Sequence, residues 1–214
     1  MIIKSQIMSD NSELPVMFKD LKTIDRDKQV VYCKNCTMSN QRPRIQFNDK
    51  GICSPCVFHE YKTKIINWDK REKELSELCD RHRKEDGSWD VIVPSSGGKD
   101  SSYVSYILKE KYGMHPLTVT WAPSVPTNIG RDNLFNMCYT GQDNILFTPN
   151  GVIHRKLSKA SLIEFGDNFI PFAYGQINVP LQCAVKFNIP FVMYGENGDL
   201  EYGGSIQDYN RSTL

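Results

Sequence analysis

The sequence predicts a doubly wound parallel α/β sheet preceded by a small metal-stapled segment, and three observations lead there. Apolar, β-branched runs alternate with stretches of helical periodicity from Trp89 to Tyr194. A glycine pair, Gly97-Gly98, stands between the first such run and the first such helix. Ahead of it come two Cys-x-x-Cys units, Cys33/Cys36 and Cys53/Cys56, with sixteen residues between Cys36 and Cys53.

From the start of the chain, residues 1–29 are polar and without a sustained period, and read as a lead-in or an edge strand. Residues 30–60 hold the cysteine pairs. Each pair supplies two thiolates from one tight turn, and four thiolates complete a tetrahedral shell around Zn²⁺ with no position left for water. A structural zinc ribbon is therefore expected, with Cys33, Cys36, Cys53 and Cys56 as ligands and His59 at the surface; a redox pair is the competing reading. Residues 61–88 form a linker, in which Trp68 to Glu85 alternates acidic and basic residues around a narrow stripe of Leu75, Leu78 and Cys79. That is an amphipathic helix with a solvated face.

The main domain spans 89–214. Strands are expected at Trp89–Pro94, Pro116–Trp121, Asn144–Thr148 and Ile189–Tyr194. Helices are expected at Tyr103–Lys111, Asn128–Tyr139, Ile153–Phe165 and Gly175–Phe187, with Leu157, Leu162 and Phe165 on one face of the third. In such a sheet ligands sit at the carboxyl ends of the strands, so the loops after Val93, Trp121, Thr148 and Tyr194 should surround one cleft.

The loop after the first strand is Ser95-Ser96-Gly97-Gly98-Lys99-Asp100-Ser101-Ser102. Glycines let backbone N–H groups approach a ligand, the helix start aims its dipole the same way, and hydroxyls and Lys99 add donors and charge. A polyphosphate suits it better than a carboxylate. A Walker A loop is excluded, because Lys99 is followed by Asp100 and Val93 stands where the first glycine belongs. The dinucleotide fingerprint fails for want of a third glycine. A second informative stretch is Gly195-Glu196-Asn197-Gly198-Asp199 with Glu201-Tyr202-Gly203-Gly204, whose carboxylates suit Mg²⁺ or a polar substrate.

The loop resembles Ser-Gly-Gly-x-Asp-Ser, the signature of the PP-loop ATP pyrophosphatases. With Gly-Glu-Asn, Glu-Tyr-Gly-Gly and the four-cysteine segment, the chain from about Cys33 to Gly204 resembles the N-acetyl sugar amidotransferases (WbpG/PseA-like) of that superfamily. The resemblance implies an adenine nucleotide alpha hydrolase (HUP-like) fold and a C-terminally truncated 89–214 domain, since members are usually longer. It implies conversion of the N-acetyl group of a UDP-linked sugar to acetamidino, with release of AMP and pyrophosphate. The setting would be surface polysaccharide (LPS, O-antigen) or flagellin sugar biosynthesis.

The cofactors implied are ATP, Mg²⁺ and structural Zn²⁺, and the implied nitrogen source is ammonia from a glutaminase partner. Lys99, Asp100 and Ser101 would carry catalysis. Ser95, Ser96, Gly97, Gly98, Ser102, Trp121, Gly195, Glu196 and Asn197 would bind nucleotide or metal with them, adenine lying near Thr120, Trp121 and Ala122.

A tRNA-thiolating PP-loop enzyme, with Cys138 and Cys183 as candidate thiols, and a non-catalytic nucleotide-binding zinc module are the alternatives. The net charge of +1 over 214 residues gives no reason to expect nucleic acid or membrane as partner. Met1-Ile2-Ile3-Lys4 is too short for a signal core and no apolar run reaches about 18 residues, so a cytoplasmic protein is expected.

Overall fold

The computed structural model describes residues 22–23 and 29–197. They fall into two compact units, one running from Lys73 to Glu196 and the other holding residues 22–23, 29–72 and Asn197.

In the smaller unit, β1 (Lys22–Thr23) pairs antiparallel with β2 (Gln46–Phe47), which places a two-residue strand in the expected lead-in. Ser54–Lys64 forms α1. The core here is four residues, Cys33, Ile45, Phe47 and Cys53, with Met38, Ile52 and Cys56 against them. Helix α2 (Trp68–His82) crosses the division between the units. Its stripe is legible in the structure: Cys79 is fully buried, and Leu75 and Leu78 pack beside it.

The larger unit is α/β. Strands β3 (Val91–Pro94), β4 (Pro116–Trp121) and β5 (Asp143–Phe147) form a parallel sheet in the order β3-β4-β5. Ile92 pairs with Leu117 and Leu117 with Asp143. On the free edge of β3, Ile92 N–H donates to Phe191 O at 2.9 Å and Met193 N–H donates to Ile92 O at 2.8 Å. This is a parallel bridge at Val192. The expected strand at 189–194 is thus reduced to one bridge, but it falls on the side of β3 away from β4. The chain therefore runs outward through β3, β4 and β5 and then returns to the opposite edge of β3, a topological switch point.

Period-two alternation sorts the strand residues between two cores. Val91 and Val93 join Cys79, Leu108, Tyr112, Met114 and Phe191 on one face. Ile92, Leu117 and Val119 join Val179, Ala184 and Ile189 on the other. Helices α2 and α3 (Lys99–Glu110) cover the first face and α6 (Ile170–Lys186) the second.

Helices α4 (Asn128–Tyr139) and α5 (Gly151–Phe165) complete the unit. Helix α3 starts four residues before Tyr103, because the loop lysine and aspartate belong to its first turn. The strand expected at 144–148 lies one residue earlier. Helix α6 starts at Ile170 rather than Gly175 and carries Gly175 and Pro180 inside it. Leu157, Leu162 and Phe165 are exposed, and α5 buries His154 and Ser161 instead. Among the described residues no helix is long and apolar enough to cross a membrane.

Candidate functional site

The loop between β3 and α3 is held by its own serines and by its neighbours. Ser95 N–H donates to Val119 O at 2.9 Å, anchoring the loop's first residue to β4. Buried Ser95 Oγ donates to Ser101 Oγ at 3.0 Å and accepts from Gly97 N at 3.3 Å, closing the loop across its mouth. Gly97 has φ +78°, and a Cβ there would lie 2.6 Å from the backbone of Leu134 in α4. Both the left-handed conformation and the close approach demand glycine. Gly98 is the N-cap of α3, and having no side chain it makes no cap bond.

Lys99 Nζ reaches both carboxylate oxygens of Asp100 at 2.6 Å, and its side chain is 87% exposed. Such an exposed ion pair is worth at most about 1 kcal/mol, so an incoming anion can take the ammonium over at little cost. Asp100 also stands in the first turn of α3, where a carboxylate favours the helix dipole. Ser102 Oγ is buried without a partner.

The second predicted stretch meets this loop. A Cβ on Gly195 would lie 2.9 Å from Ser101 N and 3.0 Å from the Asp100 carbonyl carbon, so the strand end of 191–194 runs directly onto the first turn of α3. Glu196 follows, exposed. Asn197 falls in the other unit, and Asp199, Glu201 and Tyr202 to Gly204 lie outside the described residues. Tyr194, which sequence reading did not single out, has its hydroxyl buried without a partner, and burial pushes its pKa up.

Trp121 ends β4 in a separate aromatic cluster. It stacks on Phe147 with centroids 5.3 Å apart, and a Cβ on Gly175 would enter its ring at 2.2 Å. The Ala122 N–H is already donated to Phe147 O at 2.9 Å. His154 lies 6.1 Å from Trp121, and nothing in its sequence neighbourhood marks it, because its partners are about thirty residues away. Cys138 and Cys183 are half-buried, Cys183 against the core, and burial raises the pKa of both thiols, which keeps them protonated rather than reactive.

The four knuckle cysteines come together with their sulfurs all within 4.8 Å of one another. Cys33 and Cys56 sulfurs are 4.0 Å apart and Cys36 and Cys53 sulfurs 3.6 Å. Tetrahedral thiolates at a Zn–S distance of about 2.3 Å would be about 3.8 Å apart, so the set fits such an ion. Backbone N–H groups of Asn35 and Cys53 donate to Cys33 Sγ, both at 3.3 Å, and Met38 N–H donates to Cys36 Sγ at 3.4 Å. Burial pushes the Cys33 thiol up, but N–H donors from Cys53, Asn35 and Cys36 outweigh it and bring the pKa down to about 7. Burial raises Cys53 and Cys56, the direction a bound cation would reverse. The four cysteines could hold a structural metal such as zinc, and His59 is exposed beside them, not a member of the cluster.

No protein-family model matches the chain. An 89-residue stretch is 34% identical to the uncharacterized protein MJ1599 of Methanocaldococcus jannaschii, covering 41% of this chain and 31% of that protein. The chain thus matches about a third of the length of that relative. Among solved structures, a "predicted subunit of tRNA methyltransferase" from the same organism aligns at 24% identity with a TM-score of 0.39. That alignment covers 52% of this chain and 55% of that one.

Proposed function

We propose that the chain is a PP-loop enzyme that activates an amide with ATP and releases AMP, acting as an N-acetyl sugar amidotransferase. The observation that carries this reading is the placement of the Ser95–Ser102 loop. It opens a helix without a side-chain cap, at the carboxyl end of β3, beside the switch point where the chain recrosses to Val192. Open α/β sheets bind ligands in that crevice. The strand order, with β3 between β4 and Val192, also agrees with the HUP-like fold that the loop's signature implies.

In this reading the Ser96 and Ser101 hydroxyls and Lys99 hold the β and γ phosphates, together with the Gly97 and Gly98 N–H groups, which exchange their long 3.3 Å bonds to the Ser95 and Ser96 hydroxyls for phosphate oxygens. Charge building on the departing pyrophosphate then meets donors already in place. Mg²⁺, held by Asp100 or Glu196, would neutralise further phosphate charge. The acceptor's amide oxygen bonds to the α phosphorus as the bond to pyrophosphate breaks. Ammonia then adds to the activated carbon, a proton leaves its nitrogen, and the C–O bond breaks to release AMP. Both nucleophiles belong to substrates, which agrees with the absence of a poised thiol at Cys138 or Cys183. UDP-linked N-acetyl sugar, ATP and ammonia from a glutaminase are accordingly the proposed partners.

The test is chromatography of the nucleotide product with ATP, Mg²⁺, ammonium and a UDP-N-acetyl sugar. AMP and pyrophosphate formed only with the sugar are expected. ADP as product defeats the reading, and AMP formed only with tRNA and a sulfur donor replaces it with thiolation.

A further inference from the structure

The phosphate loop lies at the carboxyl end of β3. At the other end of the sheet, where β4 and β5 begin, is a small cavity that the proposed reaction does not use. Trp89 ahead of β3, Lys109 in the last turn of α3, His115 ahead of β4, and Gln142 and Asp143 at the start of β5 line a volume of about 60 Å³.

Gln142 is the anomaly there. It is only 6% exposed, and its Nε2 and Oε1 are both buried with no partner. Methionine or leucine would fill the same place without the cost of a polar group cut off from water and left unpaired. An amide with both ends unanswered, on a residue that lines a cavity, is placed to meet a polar group arriving from outside. A single water needs about 10–15 Å³ of such space, so the cavity takes about four non-hydrogen atoms.

The other lining residues are held in place. Trp89 Nε1–H donates to Asp143 Oδ2 at 2.8 Å, and the indole meets Phe187 edge-on with centroids 5.4 Å apart. Lys109 Nζ donates to Gly141 O. Gly141 has φ +90°, and a Cβ there would lie 3.0 Å from Lys109 Nζ, so a side chain would crowd the ammonium. An ammonium carries three donors and a carboxylate two oxygens, so both keep capacity beyond these bonds.

This lining selects the chemistry of what enters. A cation and an anion border one small space, so a charged ligand of either sign would meet a like charge. Gln142 adds two donors and an acceptor. The group that answers all of them is uncharged and carries a donor and an acceptor side by side, which describes a primary carboxamide.

We propose that this cavity binds a small primary carboxamide, with Gln142 as the residue that recognises it. The Gln142 amide turns into the cavity and pairs with the ligand through two antiparallel bonds, its Nε2–H donating to the ligand oxygen and its Oε1 accepting from the ligand NH₂. Lys109 donates to the same oxygen, and Asp143 accepts the second N–H. The space admits the carboxamide and leaves its carrier at the mouth, so free glutamine and asparagine are the carriers to try. The site stands apart from the amidation reading, and neither depends on the other.

The test is a titration of the full-length, ¹⁵N-labelled protein, read at the Gln142 side-chain NH₂ signal. Acetamide, the bare group, should move that signal saturably, and acetate, its charged counterpart, should bind at least tenfold more weakly. Tighter binding of glutamine or asparagine than of acetamide would make a free amino acid the carrier, and equal binding would leave recognition to the carboxamide alone; both support the site. By calorimetry, Gln142→Met should lose at least tenfold in affinity for whichever carboxamide binds best. The same variant should melt at or above the parent, because an unpaired buried amide has gone. A signal that no carboxamide moves overturns the proposal and leaves the cavity to ordered waters only, a result that needs no variant. Acetate binding as well as acetamide, or full affinity in Gln142→Met, overturns it too.

Discussion

Two kinds of helix start occur in this chain. Helices α4 and α5 open on side-chain caps: Thr127 Oγ1 accepts from Gly130 N–H at 3.0 Å, and Asn150 Oδ1 accepts from Val152 and Ile153 N–H at 3.0 and 3.1 Å. Helix α2 does likewise through Asn67, whose Oδ1 accepts from Lys70 N–H at 2.9 Å. Helices α1, α3 and α6 open on Cys53, Gly98 and Phe169, and none makes a side-chain cap bond. A cap satisfies first-turn N–H donors from within the chain and leaves fewer for anything else. Two of these three uncapped starts are where the sequence places ligand chemistry, a thiolate of the metal cluster in one case and a phosphate loop in the other; the third, at Phe169, has proline in its first turn, which carries no N–H to cap.

The largest effect should come from the thiolate start. Cys53→Ser removes a fully buried member of a core only four residues strong, half of which is cysteine. Structural zinc contributes about 10–16 kcal/mol of folding free energy in small zinc domains, so the knuckle should lose both metal and structure. Metal content by mass spectrometry and amide protection from Cys33 to Val57 check this. Retained zinc and retained protection in the variant would show the knuckle does not depend on a four-thiolate ion.

Next comes the glycine that shapes the phosphate start. Gly97→Ala and Gly87→Ala put the same residue at nearly the same backbone angle, φ +78° and +77°, but only the first meets the backbone of Leu134. At Gly87 the left-handed conformation alone should cost about 1–2 kcal/mol. At Gly97 the collision adds to that, for a total of about 3 kcal/mol or more, with ATP binding lost as well. Urea unfolding of the pair isolates the close approach, and equal midpoints would remove it.

Most of this architecture can be read from the residues, and the exceptions have physical causes. Val91 to Val93, Leu117 and Val119 read as buried strands because both faces of their sheet are covered. The cysteine spacing found its cluster because both pairs sit in local turns. Helix α6 was harder: Gly175 and Pro180 argue locally against a helix, yet the glycine is where the backbone meets Trp121, a partner fifty-four residues away. Helix α5 misleads in the opposite sense, since Leu157, Leu162 and Phe165 follow a helical period but face outward. His154 carries no local signal at all. Its neighbours are Ser124 and Trp121, which only the sheet brings near.

Lys99→Ala should separate binding chemistry from folding. The exposed pair with Asp100 adds little to stability, so urea midpoints should correspond to a change within about 0.5 kcal/mol. Turnover should fall by about a hundredfold or more, the range for removing one preorganised donor from a developing charge. Unchanged turnover would take Lys99 out of the mechanism. At the capped start of α4, Thr127→Ala reverses the pattern. It should cost about 1 kcal/mol of stability and leave ATP affinity alone.

The smallest stability change should be the most telling. Gly98→Ser offers α3 the side-chain cap it lacks, and serine at a helix N-cap is better than glycine by only a few tenths of a kcal/mol. A Cβ there meets Ser96 Oγ at 3.2 Å, a flexible hydroxyl that can shift, and the backbone angle of φ −71° suits serine without strain. The variant should therefore melt at or slightly above the parent. Its new hydroxyl, however, would compete for the N–H groups that a phosphate needs. ATP affinity by calorimetry should fall several-fold in a protein that is no less stable. If affinity is unchanged, the missing cap at Gly98 is incidental, and the contrast between the two kinds of helix start does not extend to the phosphate loop.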